Sequence, residues 1–314
     1  MSPDPEGLRE YVERHYPDHE VSTAYEAGCC GYRAHRCFES YGWCSLVVNP
    51  ADIFRRGKER HTKTDRIDAQ LIARELKDGR LEGIVVPDPE REQLRSLFRR
   101  RNDLVKDMRQ IKSYIKMQLL YYGIKVPERY DNDHWSHGFR DWLDGLDFEY
   151  ETGKEVLESR MRSFRFIDRE FRDVSTQLRK WTKKHYKGDY MLLRSIPGIG
   201  PIVASGILSE LGDLRRFGNI KQLAGYVGLS PGIYQSGGTI RHTGVSMRAH
   251  RLIRSYFIED SWQAIRTDPV MQGYYRKHQG KNVKSVIVKV ARKLLSRTLA
   301  VIKTGIPYEI GVVE

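Results

Sequence analysis

Three carboxylates in the first quarter of the chain have the types and spacing that metal-assisted phosphodiester chemistry needs. Glu26 closes a β-prone run, Val21-Ser22-Thr23-Ala24-Tyr25-Glu26, and Asp65 and Asp68 stand three apart where a helical pattern begins. Residues i and i+3 of a helix share a face, with Cβ atoms about 5–6 Å apart, so these two acids could serve one cation. Two Mg²⁺ ions held by such oxygens would stabilise both the attacking and the leaving oxygen of a displacement at phosphorus. The Thr64-Asp65 opening is equally what helix capping and the helix dipole favour. Further along, Pro197-Gly198-Ile199-Gly200 has the composition of a turn whose backbone amides can approach a phosphate at a helix start; a helix–helix turn without a ligand has the same composition. Such a turn reads backbone and carries no base specificity. A third candidate is Ser236, in Tyr234-Gln235-Ser236-Gly237-Gly238-Thr239-Ile240-Arg241-His242. A serine beside two glycines fits an ordinary turn, but Arg241 and His242 add groups able to bind phosphate or move a proton.

The elements that must position these residues follow from hydrophobic period and punctuation. Pro3 to Glu6 lead into Leu8, Tyr11 and Val12 at helical spacing, so a short helix of about ten residues opens the chain. The run ending at Glu26 predicts a strand, Gly28–Tyr41 a helix, and Trp43–Val48 a second strand stopped by Asn49-Pro50. Strand, helix, strand is the grammar of a layered α/β domain with parallel pairing. After a basic loop, a helix begins near Thr64-Asp65 and runs to about Lys77. Residues 91–122 space Leu94, Leu97, Leu104, Met108, Ile111, Ile115, Leu119 and Tyr122 three or four apart, with Arg101 the one polar break. Residues 155–186 repeat the pattern with a period near 3.5, which predicts a coiled coil, the two segments pairing as an antiparallel arm. The intervening stretch, 123–154, has no assignable role. From Leu192 to Ser230 the sequence is small and glycine-rich and resembles a helix-hairpin-helix element, and 244–304 is helical and basic, with Arg248, Arg251 and Arg254 three apart.

Of 314 residues, 39% are hydrophobic and 11% aromatic, the composition of a folded chain, and the formal net charge is +13. That charge is unevenly spread: residues 1–90 carry a net −4, residues 91–125 a net +7 and residues 241–304 a net +11. Basic stretches of this kind release counterions from a polyanion, so nucleic acid is the first partner to expect. Cys29, Cys30, Cys37 and Cys44 lack the C-x-x-C spacing of zinc sites and are expected to be reduced packing residues. No apolar run reaches the length of a membrane span, and the N-terminus lacks a basic region followed by an apolar core, so a cytoplasmic protein with no membrane partner is expected.

The order of motifs resembles a known family. A strand ending Tyr25-Glu26-Ala27-Gly28, a strand ending Val48-Asn49-Pro50, then Lys63-Thr64-Asp65-Arg66-Ile67-Asp68-Ala69 are similar to the DEDD domain of the serine-dependent insertion-sequence transposases, the class that includes the pilin-gene invertase. Ser195-Ile196-Pro197-Gly198-Ile199-Gly200, then Ala224-Gly225-Tyr226-Val227-Gly228-Leu229-Ser230-Pro231, then Ser236-Gly237 followed by Arg241 and Arg248 look like that family's second domain. The resemblance runs from about residue 5 to Pro307. Each motif alone is common; their joint order and spacing are specific.

The resemblance implies an α/β plus α fold. An N-terminally incomplete RuvC-like (RNase H-like) domain would occupy 1–90, a long coiled-coil arm 91–190, and a mostly helical transposase domain with the helix-hairpin-helix element 191–314. It implies that Ser236 is a nucleophile that becomes covalently linked to DNA, and that Glu26, Asp65 and Asp68 are the last three acids of the DEDD set, holding Mg²⁺. Gly198, Gly200, Arg241, Arg248 and Arg251 are the expected nucleic-acid contacts. The implied partners are donor and target DNA, a structured guide RNA that pairs with both, and further copies of the chain, as a dimer or tetramer with composite sites. The family's opening strand with its first aspartate, and the two strands after it, have no counterpart here; the sheet is expected to keep two recognisable strands, and a misassigned start or truncated element is the expected cause. Three other readings are a junction-resolving nuclease indifferent to Ser236, a non-catalytic nucleic-acid-binding protein, and a degenerate transposase that binds without cleaving.

Overall fold

The structure is a computed structural model that describes residues 4–53, 64–132, 134–236, 239–245, 249–280 and 282–311, with backbone alone for 231–236 and 239–243. It divides into two compact units, Met1–Asp88 and Pro89–Glu314.

In the first unit, α1 (Pro5–His15) starts where Asp4 accepts a hydrogen bond from the Glu6 amide and Pro5 supplies a preset φ. Strands β1 (Ser22–Glu26) and β2 (Cys44–Val48) pair in parallel, Ser22 opposite Cys44 and Glu26 opposite Val48. Between them, α2 spans Arg33–Ser40 and is shorter than the expected Gly28–Tyr41 helix. The reason is tertiary: the Tyr25 hydroxyl donates to the Gly31 carbonyl at 3.0 Å and accepts from the His35 amide at 3.3 Å, holding the preceding turn onto the strand. Helix α3 (Asp65–Lys77) opens on Thr64, whose hydroxyl accepts from the Ile67 amide. It lays Leu71 and Ile72 against Val48, Ile53, Ala24, Leu46 and Leu81. The chain then returns beside β2, with Gly83 bridging Val48 antiparallel. The cysteines are not the packing residues expected: Cys29, Cys30 and Cys44 are exposed, Cys37 is half-buried, and all four are free.

The second unit is built on two long helices, α4 (Pro89–Tyr121) and α6 (Glu151–His185). They run antiparallel, since Gln118 bonds to Gly153, Arg160 to Tyr114, and Arg101 to Ser175. The stretch between them has a structural role that its sequence did not disclose. It carries α5 (His137–Asp144), and Trp135, Phe139 and Leu143 close a separate core with Ile115, Leu119, Leu157, Met161 and Phe164 at the tip of the pair. Arg101, the polar break in the α4 pattern, donates to Ser175 on α6 and to the Tyr256 hydroxyl at 3.0 Å.

The far end of the pair joins a larger core made with α7 (Lys187–Arg194), α8 (Pro201–Gly206), α9 (Ile220–Val227), α10 (Arg251–Thr267), α11 (Pro269–Lys277) and α12 (Val283–Thr304). Helix α8 widens into one turn of π-helix, Ile207–Leu211. Between α9 and α10 runs an antiparallel hairpin, β3 (Pro231–Ser236) and β4 (Thr239–Val245), whose last two residues, Gly244 and Val245, fall where helix was expected from 244; α10 starts only at Arg251. Among the described residues no helix is long and apolar enough to cross a membrane.

Candidate functional site

The first unit places Glu26 at the carboxyl end of β1, half-buried, where the next amide, Ala27, donates to the Val48 carbonyl at 2.8 Å. Asp65 and Asp68 occupy the first turn of α3, Asp65 exposed and Asp68 half-buried, one turn before the residues that pack on the sheet. They interact favourably with the helix dipole there. The donor set suits a hard divalent cation in kind, three carboxylates without nitrogen or sulfur. Among the described residues, however, no three Asp, Glu, His or Cys side chains come together closely enough to hold a metal ion. The fold therefore brings the two aspartates onto one helix turn and sets α3 against β1, without gathering all three acids into a cage.

In the second unit Ser236 is the last residue of β3 and pairs with Thr239; Tyr234 pairs with Arg241 and Ile233 with His242. Because alternate residues of a strand share a face, this register puts positions 236 and 241 on one face of the hairpin and 242 on the other. Position 241, and not 242, therefore shares the hairpin face of position 236. Gly237, Gly238 and Arg248 lie outside the described residues. Arg251 is exposed at the start of α10, where the helix has no acid in its first turn and its positive end adds to the side chain's own attraction for an anion.

Gly198 and Gly200 separate once their surroundings are seen. Gly198 adopts φ +96°, and a Cβ there would stand 2.7 Å from the backbone oxygen of Asp260 in α10 and 3.1 Å from Ala264. Its first duty is close helix packing. Gly200, at φ −75° before α8, has nothing but its chain neighbours within 4 Å of a Cβ position among the described residues, which leaves room there for a ligand. In the same α10 residue, the Asp260 carboxyl has a buried Oδ2 without a hydrogen-bond partner among the described residues; burial, aided by the neighbouring Glu259 charge, pushes its pKa up to about 7.

One charged cluster escaped the sequence reading. Glu210, in the π-helical turn, has a side chain only 1% exposed. Arg99 of α4 grips it with Nε at 2.8 Å and Nη2 at 2.9 Å. His250 approaches its Oε2 at 3.1 Å, and Arg95 reaches the same oxygen at 3.4 Å. Burial alone would raise the Glu210 pKa, but the hydrogen bonds from His250 and Arg99 outweigh it and hold the carboxyl below its ordinary value. Arg95 also donates to the carbonyls of Ser209 and Glu210, and Arg216 to that of Leu211, so groups that the widened turn leaves without helical partners are satisfied. The available signal was an acid inside an apolar, glycine-containing run, together with two arginines at i, i+4 on the preceding amphipathic helix.

These features, a strand–helix–strand unit ending in carboxylates and a helical unit carrying a serine hairpin, fit two transposase domains in sequence order. The DEDD transposase family of IS110 matches residues 1–124, and the family of transposases IS116/IS110/IS902 matches residues 190–276. The chain is an insertion-sequence transposase.

It is 28% identical over 280 residues to the y4qE protein of Sinorhizobium fredii, covering 89% of this chain and 67% of the relative. Over 263 residues it is 24% identical to the transposase for insertion sequence element IS1111A of Coxiella burnetii, covering 78% and 69%. It is also 32% identical over 122 residues to the pilin gene-inverting protein of Moraxella bovis, covering 38% of each. The chain belongs to the IS110 class of transposases.

Proposed function

We infer that this transposase cuts and rejoins DNA through a covalent phosphoserine formed at Ser236. The observation that carries this reading is the position of Ser236 at the end of β3, on the same hairpin face as Arg241. Among the serines of the described residues, it is the one that ends a strand, shares a hairpin face with an arginine position and is followed by two glycines.

The serine hydroxyl gives up its proton as its oxygen attacks phosphorus. The phosphorus–oxygen bond to the deoxyribose breaks, and the released hydroxyl takes up a proton. Rejoining is the same displacement in reverse, with another strand's hydroxyl expelling the serine. Arg241, Arg248 and Arg251 hold phosphate oxygens by charge-assisted hydrogen bonds.

Although the three carboxylates are not gathered into a cage in this structure, Asp65 and Asp68 on one turn of α3 and Glu26 at the end of β1 are the residues that would hold Mg²⁺, which when bound supplies charge stabilisation at a scissile phosphate. The domain organisation expected from the sequence belongs to the same proposal: a RuvC-like part over 1–90, a coiled-coil arm over 91–190, and a transposase part over 191–314 whose turn at 195–200 acts as a helix-hairpin-helix contact to nucleic-acid backbone. The net charges of +7 over 91–125 and +11 over 241–304 favour a backbone-reading surface, and base selection falls to a structured guide RNA. Several copies of the chain would complete the site.

The test is a trapping assay with Mg²⁺, element-end DNA and co-expressed flanking RNA, followed by denaturation. A protein–DNA adduct that forms with the parent and disappears in Ser236→Ala is the expected result. Nicking that persists in Ser236→Ala without any adduct would replace this reading with a carboxylate-only nuclease.

A further inference from the structure

The hairpin that carries Ser236 leaves and rejoins the helical core at two adjacent points, and a buried ion cluster underlies one of them. On the entering side, Gly228 ends α9 at φ +81° with its Cα against Ala249, so close that a Cβ would stand 2.1 Å from the Ala249 Cβ. Arg254 of α10 donates to the Gly228 carbonyl, and Arg292 of α12 reaches the Leu229 carbonyl and the Ser230 hydroxyl, each at 3.4 Å. On the leaving side, the His250 amide donates to the Tyr226 carbonyl at 3.1 Å. Its ring makes two further bonds. Nδ1 accepts from the Ile253 amide at 3.3 Å as the cap of α10, so Nε2 carries the proton and donates it to Glu210. The same carboxylate is gripped by Arg99 from α4.

We propose that His250, Glu210 and Arg99 form a clamp that positions the serine hairpin, coupling its exit strand to the π-helical turn and to the long α4 helix. The proposal rests on Ser236 being the nucleophile, but the clamp itself is a claim about the hairpin's backbone. The Glu210 side chain is only 1% exposed, with a bidentate partner on one side and a ring that is also a helix cap on the other. Movement of His250 away from the core would break the cap, the carboxylate bond and the Tyr226 contact together. None of the three residues touches DNA in this scheme; they are positioning residues, and a displacement of about 1 Å at a reacting group costs on the order of 100-fold in rate.

Asparagine and serine are good helix caps but too short to reach Glu210. His250→Asn therefore keeps the start of α10 while removing the bond to the clamp, and His250→Ser repeats the test should the asparagine variant lose its fold. Two readouts are taken on the full chain. In hydrogen–deuterium exchange without DNA, peptides spanning 229–250 should exchange roughly tenfold faster than in the parent, with α11 and α12 unchanged. In the trapping assay, the rate of adduct formation should fall at least about tenfold while the DNA dissociation constant stays within about twofold. Unchanged exchange over 229–250 overturns the clamp whatever the chemistry does. Faster exchange with an unchanged adduct rate overturns its role in positioning. Loss of the adduct from the parent itself would instead count against Ser236, leaving the exchange result to decide the clamp.

Discussion

Replacing Gly198 by alanine separates two explanations of the glycine-rich turn before α8. If the glycine is there for a phosphate, the variant folds normally and binds DNA less well. The structure predicts otherwise. Gly198 sits at φ +96°, where a side chain costs on the order of 1–3 kcal/mol, and the added Cβ would stand 2.7 Å from the Asp260 oxygen, a backbone atom that moves only if α10 moves. Overpacking of this kind typically costs about 1–3 kcal/mol. Taking a combined value of about 3 kcal/mol, and about 2–4 °C per kcal/mol for a unit of this size, Tm should drop by roughly 6–12 °C. Thermal unfolding followed by circular dichroism, without DNA, measures it. Gly200→Ala is the control, because φ is −75° and the Cβ meets nothing within 4 Å among the described residues beyond its chain neighbours. It should shift Tm by no more than about 2 °C, corresponding to less than about 1 kcal/mol, while lowering affinity for DNA if its amide approaches a phosphate. A Gly198→Ala protein that melts within a degree or two of the parent would refute the packing argument.

Asp260, with its carboxyl pushed up to about 7, is protonated in the folded state at pH values where the unfolded chain has already released the proton. The parent therefore loses stability as pH rises from about 3.8 toward 7, and Asp260→Asn should melt higher than the parent at pH 8, with the difference vanishing near pH 4. A constant difference across that range would show that the carboxyl is solvated. Glu210 has the opposite sign: its folded pKa lies below 4.5, so its contribution is present above 4.5 and lost as pH falls through the folded value. Glu210→Gln should cost about 3–5 kcal/mol at pH 7 by leaving Arg99 and His250 facing a neutral group, and parent and variant should converge in acid; equal stability at pH 7 would contradict the assigned burial. Asp65→Asn with Asp68→Asn should abolish Mg²⁺-dependent cleavage yet change stability by no more than about 1 kcal/mol, the scale of a helix-dipole contribution. Cleavage at the parent's rate would remove both residues from the metal site.

Local pattern made much of this protein readable. The Thr64 cap and the Leu71–Ile72 pair mark α3 in sequence because a cap and an amphipathic face are properties of consecutive residues. The repeats of α4 and α6 were likewise legible, and their pairing followed from the two apolar stripes. The order of acidic, glycine-rich and serine motifs was enough to point to a transposase. Helix α2 came out short because the Tyr25 hydroxyl binds across to Gly31, a contact that no propensity encodes.

What the sequence determined by itself, then, was the kind of element at most positions and the family to which the chain belongs. Only the tertiary structure decided the hairpin at 231–245, the tip core of Trp135, Phe139 and Leu143, and the buried Glu210 cluster. Each depends on partners far along the chain: Trp135 meets Phe164 across the arm, and Glu210 meets Arg99 more than 100 residues earlier. Read locally, Leu208-Ser209-Glu210-Leu211 is a helix with one acid on its wet side. The arrival of α4, bringing two guanidinium groups into that space, turns the acid inward, because a carboxylate leaves water only where charges and donors replace it.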